Sequence, residues 1–439
     1  MYLYENKLLK KLVLLVGIFL TSILTFSETV DVSKIAQDYP YKENAIMATV
    51  MGTPSSQHYK FKKPKGPKVR KIKTTKKIPE ILRQWSDYEY GVWTQKQSAP
   101  LMILISGTGS TYNSNFTLYL SNVFYERGYN VIALSSSTTM PYIVGQSKND
   151  YAGYIKDESD DMYKIILQII NREKKDGMKI SEIYIGGYSL GGFQSLLIHE
   201  LDSKEQKLGI KKSLLLNAPK SMLTSTQRLD NFLIKNNIYD AKGLEKYFDT
   251  KFSSIMYDEN FKLNDVDLGD LTTAIRKLNL NGNDFGILTG LLFRFYSANM
   301  TFAGEVFSGR NASGRLGNKK EYKRFDSVTK EFAEGLSVSF DEYSKELLYP
   351  YIKKTKYPNL TMEQFIEEFD LEHSSEFIRR NNENIVFITS EDDVLLSEND
   401  VEYIKNTFNN KVIIPFGGHT GVLWHRDVAK LMVDKLEER

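Results

Sequence analysis

The stretch IGGYSLGGF, Ile185–Phe193, decides how this sequence folds and where its chemistry lies. It contains Gly187-Tyr188-Ser189-Leu190-Gly191, a GxSxG match that arises by chance in roughly one of seven chains of this length if Gly and Ser each occur near 7%. Its position gives it more weight. EIYIGGYS before it reads as a strand and LGGFQSLLIHEL after it as a helix, the strand-turn-helix setting that holds a serine out as a nucleophile. A serine in so tight a turn needs very small residues two positions away on either side, and Gly187 and Gly191 supply them. The following helix points its first amides at the serine, so the Leu190 N–H is placed to stabilise an oxyanion.

On either side of this stretch the pattern repeats. PLMILIS (Pro100–Ser106), YNVIALS (Tyr129–Ser135), KSLLLNAP (Lys212–Pro219), NIVFIT (Asn384–Thr389) and KVIIPF (Lys411–Phe416) are short apolar runs typical of buried strands. Helical segments separate them. One spans Ser114–Arg127, and in the next Met162, Ile165, Ile166, Ile169 and Ile170 fall on one face, with acidic DESDD at its start and Asp176-Gly177 at its end. A last helix is expected from Gly421 to about Glu437. Strands alternating with helices imply an α/β fold: a mostly parallel sheet with helices on both faces.

A serine hydroxyl needs a base, and the chain has five histidines. His58 lies in the N-terminal piece, and His199 lies too far along the helix after Ser189 to fold back. His373 sits in a charged helical segment, and His425 falls inside the expected last helix. His419, in the glycine-rich loop PFGGHTGV between the last strand and that helix, is the candidate base. The acid belongs after the preceding strand, where SEDDVLL offers Glu391, Asp392 and Asp393. Asp393 is preferred because the apolar VLL that follows buries its carboxylate toward the histidine, and Asp392 is the reserve. The order Ser189, Asp393, His419 sets acid and base 26 positions apart, room for one helix and one strand.

GGYSLGG, SEDD, GGHTG and the order of strands and helices from about Asp87 to Arg439 resemble the α/β-hydrolase superfamily. The resemblance implies a Ser/His/Asp triad and a second oxyanion donor in the loop after PLMILIS. That loop is SGTGSTYNS, Ser106–Ser114, where lipases and esterases often carry HG or HGGG. By position Thr108 is the candidate donor and Gly109 the next. The acid loop also departs from the pattern, with Ser390 where a glycine is common.

Between Lys220 and about Arg380 lies an insertion, mainly helical in pattern and rich in aromatics, where the superfamily often carries a cap. Its run Phe285–Phe302 is apolar almost all round, fit either for burial between cap and core or for lining an acyl cleft. Such a cap covers the serine and selects what reaches it.

The N-terminus reads as targeting sequence. Lys7, Lys10 and Lys11 precede LVLLVGIFLTSILTF, 15 apolar or small residues ending at Ser27, the layout of a signal peptide and shorter than a membrane span. Export to the periplasm or medium is expected, with an uncleaved anchor as the alternative. Zero cysteines exclude disulfides and thiol catalysis. Residues 28–86 form an N-terminal segment that offers little core before Pro79, and within it Lys60–Lys77 carries ten Lys or Arg and no acid. That stretch is expected to be a solvated linker, with weak contact to anionic envelope components as the functional reading. The domain plan is thus a signal peptide (1–27), this segment with its linker (60–77), a core in two parts (87–219 and 381–439) and the cap (220–380).

A net charge of +3 gives no reason to expect nucleic acid as a partner. No metal or other cofactor is expected, since no His pair has ligand spacing and ISGTGSTYN lacks GxGxxG. The expected activity is serine hydrolysis of a small-molecule or lipid carboxylic ester. Peptidase, thioesterase or acyltransferase chemistry with the same triad, or a catalytically silent envelope-binding protein, are the alternatives.

Overall fold

The computed structural model describes residue 35 and residues 39–256, 280–309 and 322–438. The leader expected over residues 1–27 lies outside them. Among the described residues eight strands form one sheet, in the order β1-β2-β4-β3-β5-β6-β7-β8. They are β1 Lys68–Lys73, β2 Asp87–Trp93, β3 Ala99–Ile105, β4 Asn130–Leu134, β5 Ile180–Tyr188, β6 Ile210–Leu216, β7 Ile385–Ser390 and β8 Lys411–Ile414. From β4 to β8 all neighbours run parallel, while β2 is antiparallel to both β4 and β1. This is the mostly parallel α/β sheet expected from the sequence.

The strands are continuous apolar runs because helices cover both faces. Alternate residues of β3 serve the two sides. Leu101, Ile103 and Ile105 pack with Met162, Ile165, Ile166, Ile169 and Ile170 of the Ile155–Lys175 helix. Met102 and Leu104 pack with Leu120 and Val123 of the Asn115–Glu126 helix and Val428 and Met432 of the Arg426–Glu437 helix.

Two expectations for the N-terminal part need correction. Lys68–Lys73, expected in a solvated linker, is the edge strand β1, in register with β2 from Lys68↔Val92 to Lys73↔Asp87. Its cations are offset by acids from other elements: Lys71 Nζ lies 2.9 Å from Glu89, and Arg70 is hydrogen-bonded to Asp176. A lysine-rich edge also discourages pairing with another chain. Nor is the segment before Pro79 poor in core, since Tyr39 and Ala48 are buried with Val422 and Leu423. His58 stacks on Trp424 at 5.3 Å between ring centroids and bridges to His425. His425 itself is not inside the last helix. It caps that helix, accepting the Asp427 N–H at 3.2 Å, after a separate 3-10 turn over Gly421–Trp424.

The cap leaves after β6 and returns before β7, and its two ends are tied together. The Met222 N–H donates to Phe369 O and the Leu371 N–H to Lys220 O, both at 2.9 Å. Its longest described helix, Gly282–Ser308, starts with a capping box between Asn281 and Asp284. A buried ion pair fastens this helix to the Met222–Ile234 helix, with Arg294 Nη2 2.5 Å from Asp230 Oδ1 and Arg294 Nη1 donating to Leu336 O at 3.3 Å. No described helix is long and apolar enough to cross a membrane.

Candidate active site

The site forms where β5, β6, β7 and β8 end side by side. The backbone steps from one strand end to the next: the Ser189 N–H donates to Leu216 O, the Asn217 N–H to Ile388 O and the Glu391 N–H to Ile414 O, each at 2.8 Å. Ser189 is held at φ 55 and ψ −127, a conformation that costs a side-chain-bearing residue energy and that only a tightly determined turn sustains. The Ile105 carbonyl at the end of β3 fills the turn. A Cβ at position 187 would lie 2.4 Å from it, and one at position 191 would lie 2.1 Å away. Neither distance is tolerable, so both glycines are required by the neighbouring strand as much as by the serine.

Asp393 and His419 are brought together. His419 Nδ1 lies 2.9 Å from Asp393 Oδ2 and 3.0 Å from Oδ1, and Asp393 is buried at 3% exposure. Its carboxylate accepts two further hydrogen bonds, from the Leu395 N–H at 2.9 Å and from Asn217 Nδ2 at 2.8 Å. A buried carboxylate is stable when so satisfied. Asp392 does something else. Its Oδ1 accepts the Gly418 N–H at 2.8 Å, so it holds the histidine loop and does not reach the imidazole. Burial raises its pKa above the usual carboxylate value.

Ser189, Leu190 and Thr108 share the wall of one cavity with the cap residues Phe293, Met300 and Phe340. Leu190 opens the Leu190–Glu205 helix, which aims backbone N–H groups at the serine. Gly109, the second choice for the other oxyanion donor, has its N–H engaged by Thr138 Oγ1 at 2.8 Å. Within the Phe285–Phe302 run Phe285 is fully buried, and Phe293 and Met300 line the cavity.

The other histidines are occupied elsewhere. His199 is buried, with Nδ1 3.1 Å from Ser213 Oγ, and burial lowers its pKa to about 4. His425 is lowered to about 4 by burial, and His58, its Nε2 2.8 Å from Thr53 O, is also lowered. His373 lies in a 3-10 turn, 3.5 Å from Glu368.

Sequence reasoning missed two supports of the site. Asn217, which follows β6 at φ 45, orients the acid; an Asn directly after a buried strand is the one signal it offered, since Asn tolerates the left-handed region. Thr49, on the Ala45–Met51 helix, accepts the His419 N–H on its Oγ1 at 2.8 Å. Gly418 lies against the same helix, where a Cβ would come within 2.4 Å of Ala45 O. Nothing local in the sequence links positions 49 and 419. Among the described residues no group of acidic residues and histidines could hold a metal ion.

No protein-family model matches the chain, and no curated protein matches it. Among solved structures, it is similar to a putative hydrolase from Legionella pneumophila at 11% identity and a TM-score of 0.43, over 90% of this chain and 94% of that one. A serine hydrolase from Cycloclasticus zankles matches at 15% identity and a TM-score of 0.40, over 85% and 98% of the respective chains. An alpha/beta fold family hydrolase from Bacillus anthracis matches at 13% identity and a TM-score of 0.38, over 85% and 100%. Likeness at these scores assigns no substrate and no chemistry to this chain.

Proposed function

We propose that this chain is a serine hydrolase of the α/β-hydrolase type that cleaves a carboxylic ester under its cap. The observation that carries the reading is the buried Asp393–His419 pair, 2.9 Å apart, at the end of the sheet that also presents Ser189 at its elbow. In this mechanism Ser189 Oγ attacks the ester carbonyl while His419 Nε2 takes its proton. The negative charge that develops on the carbonyl oxygen is held by the N–H groups of Leu190 and Thr108. Collapse expels the alcohol, which receives the proton from His419, and leaves an acyl group on Ser189. Water then attacks the acyl carbon while His419 takes its proton, and His419 returns that proton to Ser189 Oγ as the bond to serine breaks and the acid leaves. Asp393 keeps Nδ1 protonated and stabilises the imidazolium.

Carboxylic esters are favoured over peptides because the cavity wall is mainly apolar side chains such as Met222, Leu229, Phe293 and Leu348. Exported by the leader read over residues 1–27, the protein acts in the periplasm or the medium. Arg70 and Lys71 are already paired with carboxylates of this chain, which weakens the case for contact between the basic stretch and anionic envelope components.

The test is labelling of protein lacking residues 1–27 by a fluorophosphonate probe, with hydrolysis of short p-nitrophenyl esters measured alongside. Labelling and turnover are expected in the parent, and neither in Ser189→Ala or His419→Ala. Folded parent protein that takes up no label is a binding protein on a hydrolase scaffold, and the enzyme reading then fails. Faster turnover of a matched amide than of the ester would move the assignment to a peptidase.

A further inference from the structure

The same cavity has a carboxyl group on its wall that the ester mechanism leaves unused. Glu158, in the Ile155–Lys175 helix, is 1% exposed and lines the cavity with Ser189. Its Oε1 accepts two hydrogen bonds, from Ser147 Oγ at 2.9 Å and from the Gly153 N–H at 3.1 Å. Its Oε2 is buried and has no partner. Among the described residues no cation is paired with it; the nearby Lys76 ammonium donates instead to the Ser147 carbonyl. Both of these hydrogen bonds fall on Oε1, and the Tyr142 hydroxyl, which donates to the Glu158 backbone carbonyl at 3.0 Å, lies beside the carboxyl. When the carboxyl is protonated the proton therefore belongs on Oε2, the oxygen without a partner, and a buried O–H is costly unless a group in the cavity accepts from it. Burial favours that form, pushing the Glu158 pKa up to about 7. The cap wall opposite is also unusual. Tyr343–Leu348 is a π-helical turn that brings Tyr343, Ser344 and Leu348 to the cavity, and such turns recur at functional sites.

We propose that Glu158 is a specificity-determining residue that selects esters whose acyl part carries a neutral oxygen acceptor, a hydroxyl or carbonyl, over plain alkyl esters. This rests on the ester-hydrolase reading of Ser189. An apolar wall rejects a hydroxyl-bearing chain only weakly, whereas a buried donor left unpaired penalises the chain that lacks an acceptor.

The experiment compares kcat/KM for p-nitrophenyl esters matched in length, one alkanoyl and the other its hydroxyl- or oxo-substituted counterpart, in the parent, Glu158→Gln and Glu158→Leu. The parent is expected to prefer the oxygenated ester by about tenfold or more. Glu158→Gln keeps most of that preference, since its amide oxygen can take the Ser147 and Gly153 hydrogen bonds and its NH₂ can donate. Glu158→Leu reverses it. A second readout needs no leucine variant: the parent's preference falls as pH rises through about 7 and is flat with pH in Glu158→Gln. The charged and titratable groups around Glu158 are Asp161 on its own helix, Lys76, Tyr142 and the cap's Tyr343. Equal kcat/KM for the two esters in the parent, a preference that survives Glu158→Leu or is independent of pH in the parent, or selection of an amino-substituted chain would each overturn the proposal. Fluorophosphonate labelling separates the two readings: no label in the parent defeats the esterase itself, and full labelling without preference defeats only the role of Glu158.

Discussion

At the residue scale the two adjacent aspartates have been given different tasks by a single step along the chain. Asp393 faces the imidazole and Asp392 faces the backbone of the histidine loop. Asp393→Asn is expected to lower kcat by about 10³- to 10⁴-fold, because an amide cannot hold the required tautomer or stabilise the imidazolium. Asp392→Asn leaves an acceptor for the Gly418 N–H and should cost about tenfold or less. Ester turnover by the two purified variants checks the assignment, and the reverse ranking would transfer the acid to Asp392. Asn217→Gly is more selective. Glycine adopts φ 45 without strain, so the fold persists while the amide that orients Asp393 is lost. A fall in kcat of about tenfold with unchanged circular dichroism is expected.

At the scale of elements, the candidate active site depends on a short helix far away in sequence. The Ala45–Met51 helix supports the histidine loop through Thr49 Oγ1 and lies too close to positions 418 and 421 for any side chain there, with Ala48 O 2.0 Å from where a Cβ at 421 would sit. Thr49→Val preserves shape and removes the acceptor for the His419 N–H. It is expected to reduce kcat about three- to tenfold with KM unchanged, since it loosens the base and leaves the cavity wall alone. A change confined to KM would show instead that the helix acts on substrate entry.

For the whole molecule, stability against pH follows from where the histidines lie. His199 and His425 have folded pKa values of about 4 because burial disfavours the charged ring, against about 6.5 in an unfolded chain. A depressed histidine contributes stability that is complete above the unfolded pKa and declines as pH falls from about 6.5 through 4, where the unfolded chain takes up protons the folded one refuses. Glu158 has the opposite sign: its raised pKa stabilises at low pH, and that contribution is lost as pH rises from the ordinary glutamate range through about 7. Urea unfolding at pH 7, 6, 5 and 4 is expected to show net loss toward pH 4, each histidine contributing at most about 1.4 kcal/mol per pH unit. His199→Gln should flatten that slope, and an unchanged slope would show that His199 is not the group taking up the proton.

The sequence by itself determined the elements and the order of the chemistry. Apolar runs of strand length, one-sided helical periodicity and the glycines around Ser189 are local features, written in neighbouring residues, so they placed the strands from β3 to β8 and the serine, acid and histidine loops. Charge pattern misled where its compensation was distant: the lysines of β1 read as a linker because Glu89 and Asp176, which pair with that strand, lie well along the chain. The apolar residues after Asp393 favoured it over Asp392, but only the tertiary structure shows which carboxylate meets the imidazole, since the direction of a side chain after a strand depends on what packs against it. It alone joined Thr49 to His419 and Asn217 to Asp393, contacts 370 and 176 positions apart in sequence. Hydrogen bonds reach only a few ångströms, and chain folding decides which groups come within that reach.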